Sequence, residues 1–170
     1  MPRTPRRWLA GLVIGLLITG CGAAPGTVVR FDDSRVELHV TVERSSGGGM
    51  TVVAEFRPTE PHLHLYGQEL PDGGIDGAGR PTRLVVSDPA WRALGVPLAS
   101  VASELVSLPG FDAPFATYPD GPVTIRQAIE ATGDPPADGS LEVTVTFMAC
   151  SSAGLCFKPV EGQVVELPLD

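Results

Sequence analysis

Two of the chain's three cysteines, Cys150 and Cys156, stand in the stretch ACSSAGLCF, residues 149–157, with five residues between them. Sulfurs at this spacing admit three chemistries: a disulfide that braces the fold, a disulfide that opens and closes to carry electrons, or a pair of thiolates on a soft metal ion. A disulfide closing so short a loop contributes roughly 2–2.5 kcal/mol by loop entropy, less than one closing a long loop. That weakens the bracing reading without removing it. His62, His64 and Met148, with the two cysteines, are residue types that suit Cu(I). Two histidines at i, i+2 on a strand are more often ordinary surface residues, and no second cluster has ligand spacing. Spacing alone leaves all three chemistries open.

The elements that hold these residues read as strands. In RVELHVTVER, residues 35–44, Val36, Leu38, Val40 and Val42 alternate with Glu37, His39, Thr41 and Glu43. Period two over eight residues marks a half-buried antiparallel strand. SSGGG (45–49) is a turn and MTVVAEFR (50–57) the returning strand, closed by Pro58. HLHLYGQEL (62–70) sets Leu63 and Leu65 against His62, His64 and Tyr66. A glycine-rich loop follows at 71–81, then a short strand at 82–87. DPAWRALG (88–95) reads as one helical turn with Asp88 as cap and Pro89 at its first position. SELVSLP (103–109) reads as a strand, and GFDAPFATYPDG (110–121) as a long loop carrying Phe111, Phe115 and Tyr118. GPVTIRQAI (121–129) is a strand and DPPADG (134–139) a loop. SLEVTVTF (140–147) alternates most cleanly, with Leu141, Val143, Val145 and Phe147 on one face, and GQVVELPL (162–169) is the last strand. Seven or eight short strands, seventeen prolines, twenty glycines and almost no helical period predict an all-β chain, an immunoglobulin-like β-sandwich of antiparallel strands.

The first residues speak to compartment. Arg3, Arg6 and Arg7 precede an uncharged apolar run, Trp8 to Ile18. Eleven residues are too few to span a bilayer, which needs about 20, so residues 1–20 read as a secretory signal peptide. ITGC, residues 18–21, resembles the lipobox of bacterial lipoproteins. That resemblance implies cleavage before Cys21 and lipid on Cys21, followed by a short linker over 21–29 and a domain over 30–170. Removing the three arginines takes the formal charge from −8 to −11, with Lys158 the single lysine. So acidic a chain is a poor partner for nucleic acid or anionic headgroups, and attachment to the bilayer falls to the lipid. Outside the cytoplasm, Cys150 and Cys156 can form a disulfide.

FMACSSAGLCFKP, residues 147–159, is similar to the redox motif of the amino-terminal periplasmic domain of the thiol:disulfide interchange protein DsbD. Ala149, Cys150, Ala153, Gly154, Cys156, Phe157 and Pro159 carry the match. LHLYGQEL is similar to that family's strand bearing a Tyr-x-Tyr pair beside the cysteines; Tyr66 keeps the second tyrosine and His64 replaces the first. GPVTIRQAI is similar to the segment after the family's cap loop. The resemblance implies an immunoglobulin-like domain that cycles between disulfide and dithiol, with no bound cofactor or metal. It implies that Cys156 forms the mixed disulfide and Cys150 resolves it, with His64 and Tyr66 lining the site; Lys158, two residues from Cys156, is placed to favour a thiolate there. The cap loop corresponds to Phe111, Asp112 and Phe115, either ring being the shield. The implied partners are a membrane electron carrier of DsbD type, thioredoxin-like proteins and oxidised client proteins. The implied setting is the extracytoplasmic side of a bacterial membrane, held there by Cys21. Two other functions remain beside it: a binding lipoprotein with a static disulfide, and a copper metallochaperone.

Overall fold

The computed structural model describes residues 26–133 and 139–169. The signal segment, Cys21 and most of the loop expected at 134–139 lie outside them. Twelve strands follow in chain order: β1 (Gly26–Phe31), β2 (Val36–Arg44), β3 (Met50–Pro58), β4 (Leu63–Leu65), β5 (Arg83–Val86), β6 (Trp91–Ala99), β7 (Glu104–Val106), β8 (Phe115–Thr117), β9 (Val123–Ala131), β10 (Ser140–Phe147), β11 (Ala149–Ser151) and β12 (Val160–Pro168). One antiparallel sheet runs β1-β2-β3-β9-β6 and a second runs β12-β10-β5. The all-β sandwich expected from the alternation is the fold observed.

The inward residues of the clearest strands meet between the two sheets. Val36, Leu38 and Val40 on β2, Val52, Ala54 and Phe56 on β3, and Leu141, Val143, Val145 and Phe147 on β10 are buried together. Phe147 is the hinge of this packing. Its ring stands edge-on to Phe31 at 5.2 Å and to Phe56 at 5.5 Å. Edge-to-face pairs of this kind add about 0.5–1.5 kcal/mol beyond area burial. They fix the end of β10 from which the cysteine segment departs.

Three local expectations change. Pairing on β1 begins at Gly26, inside the stretch expected as linker, with Gly26 opposite Thr41. Over residues 88–95 the Asp88 carboxylate does accept from Ala90 N–H at 2.8 Å, but no helix follows. The chain enters β6 at Trp91, where pairing with β9 outweighs the weak local preference. Between Leu94 and Leu98 the register slips, and the buried Gln127 side chain bridges the gap by donating to the carbonyls of Leu94 and Ala128. The aromatic stretch 110–121 is not all loop, because Phe115–Thr117 forms β8 against β7.

Candidate functional site

The site is built on a small sheet at one end of the sandwich. β11 pairs with β4, setting Cys150 opposite His64 and Ala149 opposite Leu65. The chain beyond β4 pairs in turn with β8: Tyr66 bridges to Thr117, Gly67 N–H donates to Ala116 and Tyr118 N–H to Leu65. The order across this sheet is therefore β7, β8, β4, β11. Directly opposed residues share a face, so Cys150, His64, Tyr66, Thr117 and Phe115 fall on one face. Leu65 and Ala149 fall on the other and belong to the sandwich core. The alternation of residues 62–66 thus does two jobs: its leucines anchor the strand, and His64 and Tyr66 share the face of Cys150.

The five residues between the cysteines form a tight hairpin. Gly154 N–H donates to the Ser151 carbonyl at 2.9 Å and Ser151 N–H to the Leu155 carbonyl at 2.8 Å. The Ser151 hydroxyl accepts from Leu155 N–H at 3.2 Å. Gly154 has φ +83°, a left-handed conformation that glycine adopts without penalty. The returning chain donates from Phe157 N–H to the Ala149 carbonyl at 2.9 Å. Cys150 and Cys156 then lie directly across from each other, Cα atoms 4.0 Å apart, and are joined in a disulfide.

The two sulfurs differ in surroundings. Cys150 is 2% exposed and packs with Tyr66, Leu70 and Phe115; Cys156 is exposed at the hairpin's outer leg. The Tyr66 hydroxyl lies 3.3 Å from Cys150 Sγ and 3.9 Å from Cys156 Sγ. Burial pushes the Tyr66 phenol above its ordinary pKa, so it is a neutral O–H that can donate to sulfur. His64 stands edge-on to Tyr66 with ring centres 5.9 Å apart. Burial holds its pKa below the ordinary histidine value, partly opposed by Asp120, whose carboxylate lies 3.6 Å from Nδ1.

The aromatic pair divides. Phe115 is fully buried on β8, its ring 5.7 Å from Tyr66. Phe111 is half-buried, edge-on to Phe115 at 4.9 Å, and packs against the same cluster. Asp112 is exposed and Tyr118 joins the main core. Lys158 is a surface residue whose ammonium lies 3.8 Å from the Asp33 carboxylate. Of the copper candidates, His62 turns to Glu60 at 3.3 Å and His64 to Asp120. Among the described residues, no group of three or more His, Cys, Asp or Glu side chains could hold a metal ion.

A second wall escaped the sequence reading. Ile75 and Ala78, from the glycine-rich loop, and Met148 pack against the cluster that holds Cys150. Arg80 fixes that loop by donating to the carbonyls of Gly77 at 3.0 Å and Gly79 at 2.7 Å, and by an ion pair with Glu161. At Gly79, φ is +78° and a Cβ would lie 2.9 Å from Leu70 Cδ2 and 3.2 Å from Tyr66 Cζ. Only glycine lets the loop approach the tyrosine so closely.

The fold is shared with a solved structure. The N-terminal periplasmic domain of ScsB from Proteus mirabilis matches over 86% of this chain with a TM-score of 0.53 and 14% identity. The chain spans about half, 52%, of that ScsB structure. The N-terminal domain of Neisseria meningitidis DsbD, in its reduced form, matches over 79% of this chain and 90% of its own length, at 15% identity and a TM-score of 0.43. No protein-family model and no curated protein sequence matches the chain. The fold is thus one that the chain shares with the ScsB N-terminal periplasmic domain.

Proposed function

We propose that the chain is an extracytoplasmic thiol–disulfide exchange module of the protein-disulfide reductase type. It takes reducing equivalents from a membrane carrier or thioredoxin-like donor and passes them to oxidised client proteins through Cys150 and Cys156. The observation that carries this reading is the asymmetry of the pair. Cys156 is open to a partner, whereas Cys150 is buried against the Tyr66 hydroxyl. Exchange needs one sulfur that an outside thiol can reach and a second close enough to resolve the mixed disulfide.

In the reducing direction the Cys156 thiolate attacks a client disulfide, forming a Cys156–client disulfide and releasing one client thiolate. Cys150 then attacks Cys156 Sγ. The intramolecular disulfide forms, the second client thiolate leaves, and two electrons have passed to the client. Tyr66 donates its O–H to the sulfur that carries charge. Phe111, at the rim, shields the reduced pair, while Phe115 beneath it supports Tyr66. Cys21 bears the lipid that holds the module at a bacterial membrane.

Trapping tests the roles. A Cys150→Ser variant, reduced and mixed with a thioredoxin-like protein that lacks its own resolving cysteine and carries the other as a mixed disulfide with a small aromatic thiol, should release that thiol and accumulate a protein–protein mixed disulfide on non-reducing gels; Cys156→Ser should not. Both variants should stay folded, since the short loop contributes only about 2 kcal/mol against a total of about 5–15 kcal/mol. Equal trapping by the two variants would overturn the assignment of Cys156 as the exchanging sulfur.

A further inference from the structure

The resolving step, in the exchange reading proposed above, leaves a question of proton flow. Cys150 is buried, and burial disfavours a thiolate. Its proton must go to a nearby group before the sulfur can attack. We propose that His64 accepts the Cys150 thiol proton in this step, with Asp120 as the positioning residue that orients the imidazole.

The geometry carries the proposal. His64 is the residue directly opposite Cys150 in the β4–β11 register, which sets their Cβ atoms about 4.5–5.5 Å apart on one face. The Asp120 carboxylate stands 3.6 Å from Nδ1. A carboxylate at Nδ1 favours the tautomer with its proton there, leaving the Nε2 lone pair as acceptor. The titratable groups facing His64 are Asp120 from the turn after β8, Tyr66 on its own strand and Cys150 on β11. Tyr66 cannot serve as base near neutral pH, because burial holds it as a phenol. Burial keeps His64 largely uncharged there, hence able to accept.

The step balances. The Cys150 S–H proton moves to His64, giving a thiolate and an imidazolium. The thiolate attacks Cys156 Sγ in the mixed disulfide. The Cys150–Cys156 bond forms, the Cys156–client bond breaks, and the client leaves as a thiolate. The imidazolium then returns its proton to that thiolate or to water.

An aromatic disulfide whose leaving thiolate is coloured, such as dithiobis(nitrobenzoate), resolves the two steps in stopped flow. With the reduced full chain, the first release reports attack by Cys156. The second, concentration-independent release reports attack by Cys150. The second rate in the wild type should fall as pH drops through the His64 pKa. His64→Gln should slow it at pH 7 by about 100-fold, the lower end of a positioned general base, and move its acid limb up toward the thiol's own pKa. Asp120→Asn should move the limb to lower pH, because the lost carboxylate had been raising the His64 pKa. The first phase is the internal reference for intact folding. Two clear phases whose second-phase pH profiles superimpose in wild type, His64→Gln and Asp120→Asn would overturn the His64 role and leave the relay intact. A wild type with no second phase would overturn the relay reading itself, and this inference with it.

Discussion

A single hydroxyl sets the polarity of the disulfide's surroundings. Tyr66 reaches both sulfurs, while its ring lies tilted against Phe115. Tyr66→Phe keeps the ring and removes the O–H. A hydrogen bond to a charged group contributes about 1.5–3 kcal/mol, and one pKa unit is about 1.4 kcal/mol. The thiolate that Tyr66 serves should therefore rise by about one to two units. Alkylation of reduced Cys156 at pH 7 should slow by about tenfold; an unchanged pH profile would remove Tyr66 from the chemistry. Strand alternation made it legible that His64 and Tyr66 share a face, whereas their place beside Cys150 and Cys156 came from the resemblance, because spacing alone leaves three chemistries open. Lys158 was singled out by closeness in sequence to Cys156, yet its ammonium pairs with Asp33. Lys158 N–H also donates to the Asp33 carbonyl, which ties the residue to the segment after β1.

At the scale of elements, the stretch 110–121 holds two different kinds of aromatic. Phe115 is structural and Phe111 sits at the rim. Phe115→Ala should cost about 3–5 kcal/mol and lower Tm by roughly 10 °C in a chain of this size. Phe111→Ala should cost less than half as much and speed alkylation of the reduced pair. Thermal melts beside thiol kinetics read both. A large Tm loss for Phe111→Ala with unchanged thiol reactivity would make that ring part of the core instead. The sequence could not separate the two rings, because β8 is three residues long and too short for a period. It missed Ile75 and Ala78 for a related reason. A loop rich in glycine has no repeat to read, and its packing on the Tyr66 cluster is a tertiary contact, held beside the Arg80–Glu161 ion pair. The longer strands β2, β3 and β10 were legible because six or more alternating residues leave one register that buries the apolar face.

For the whole molecule, the described residues start at one pole, and the Cys150–Cys156 disulfide lies toward the other. Gly26 lies opposite Thr41, while the far end of β1, Phe31, stands edge-on to Phe147, and the Asp33 carbonyl accepts from Lys158 N–H at 3.3 Å. A six-residue strand spans about 17–20 Å, so a tether entering at Gly26 leaves Cys156 on the side away from it. A module held by lipid at Cys21 would thus present its disulfide outward to soluble partners. Cys21→Ser should move the protein from the membrane fraction to the soluble one and end lipid labelling; unchanged fractionation would point to a retained apolar segment as anchor.

The central claim, that this disulfide exchanges rather than braces, is tested most directly by its reduction potential. Purified protein is equilibrated in graded thiol–disulfide buffers, and the Cys150–Cys156 state is read by alkylation beside far-ultraviolet circular dichroism. The account predicts a potential above about −300 mV, with the β-sheet signal unchanged across the transition. A potential below about −300 mV, or loss of the fold on reduction, would contradict it and make the disulfide a brace.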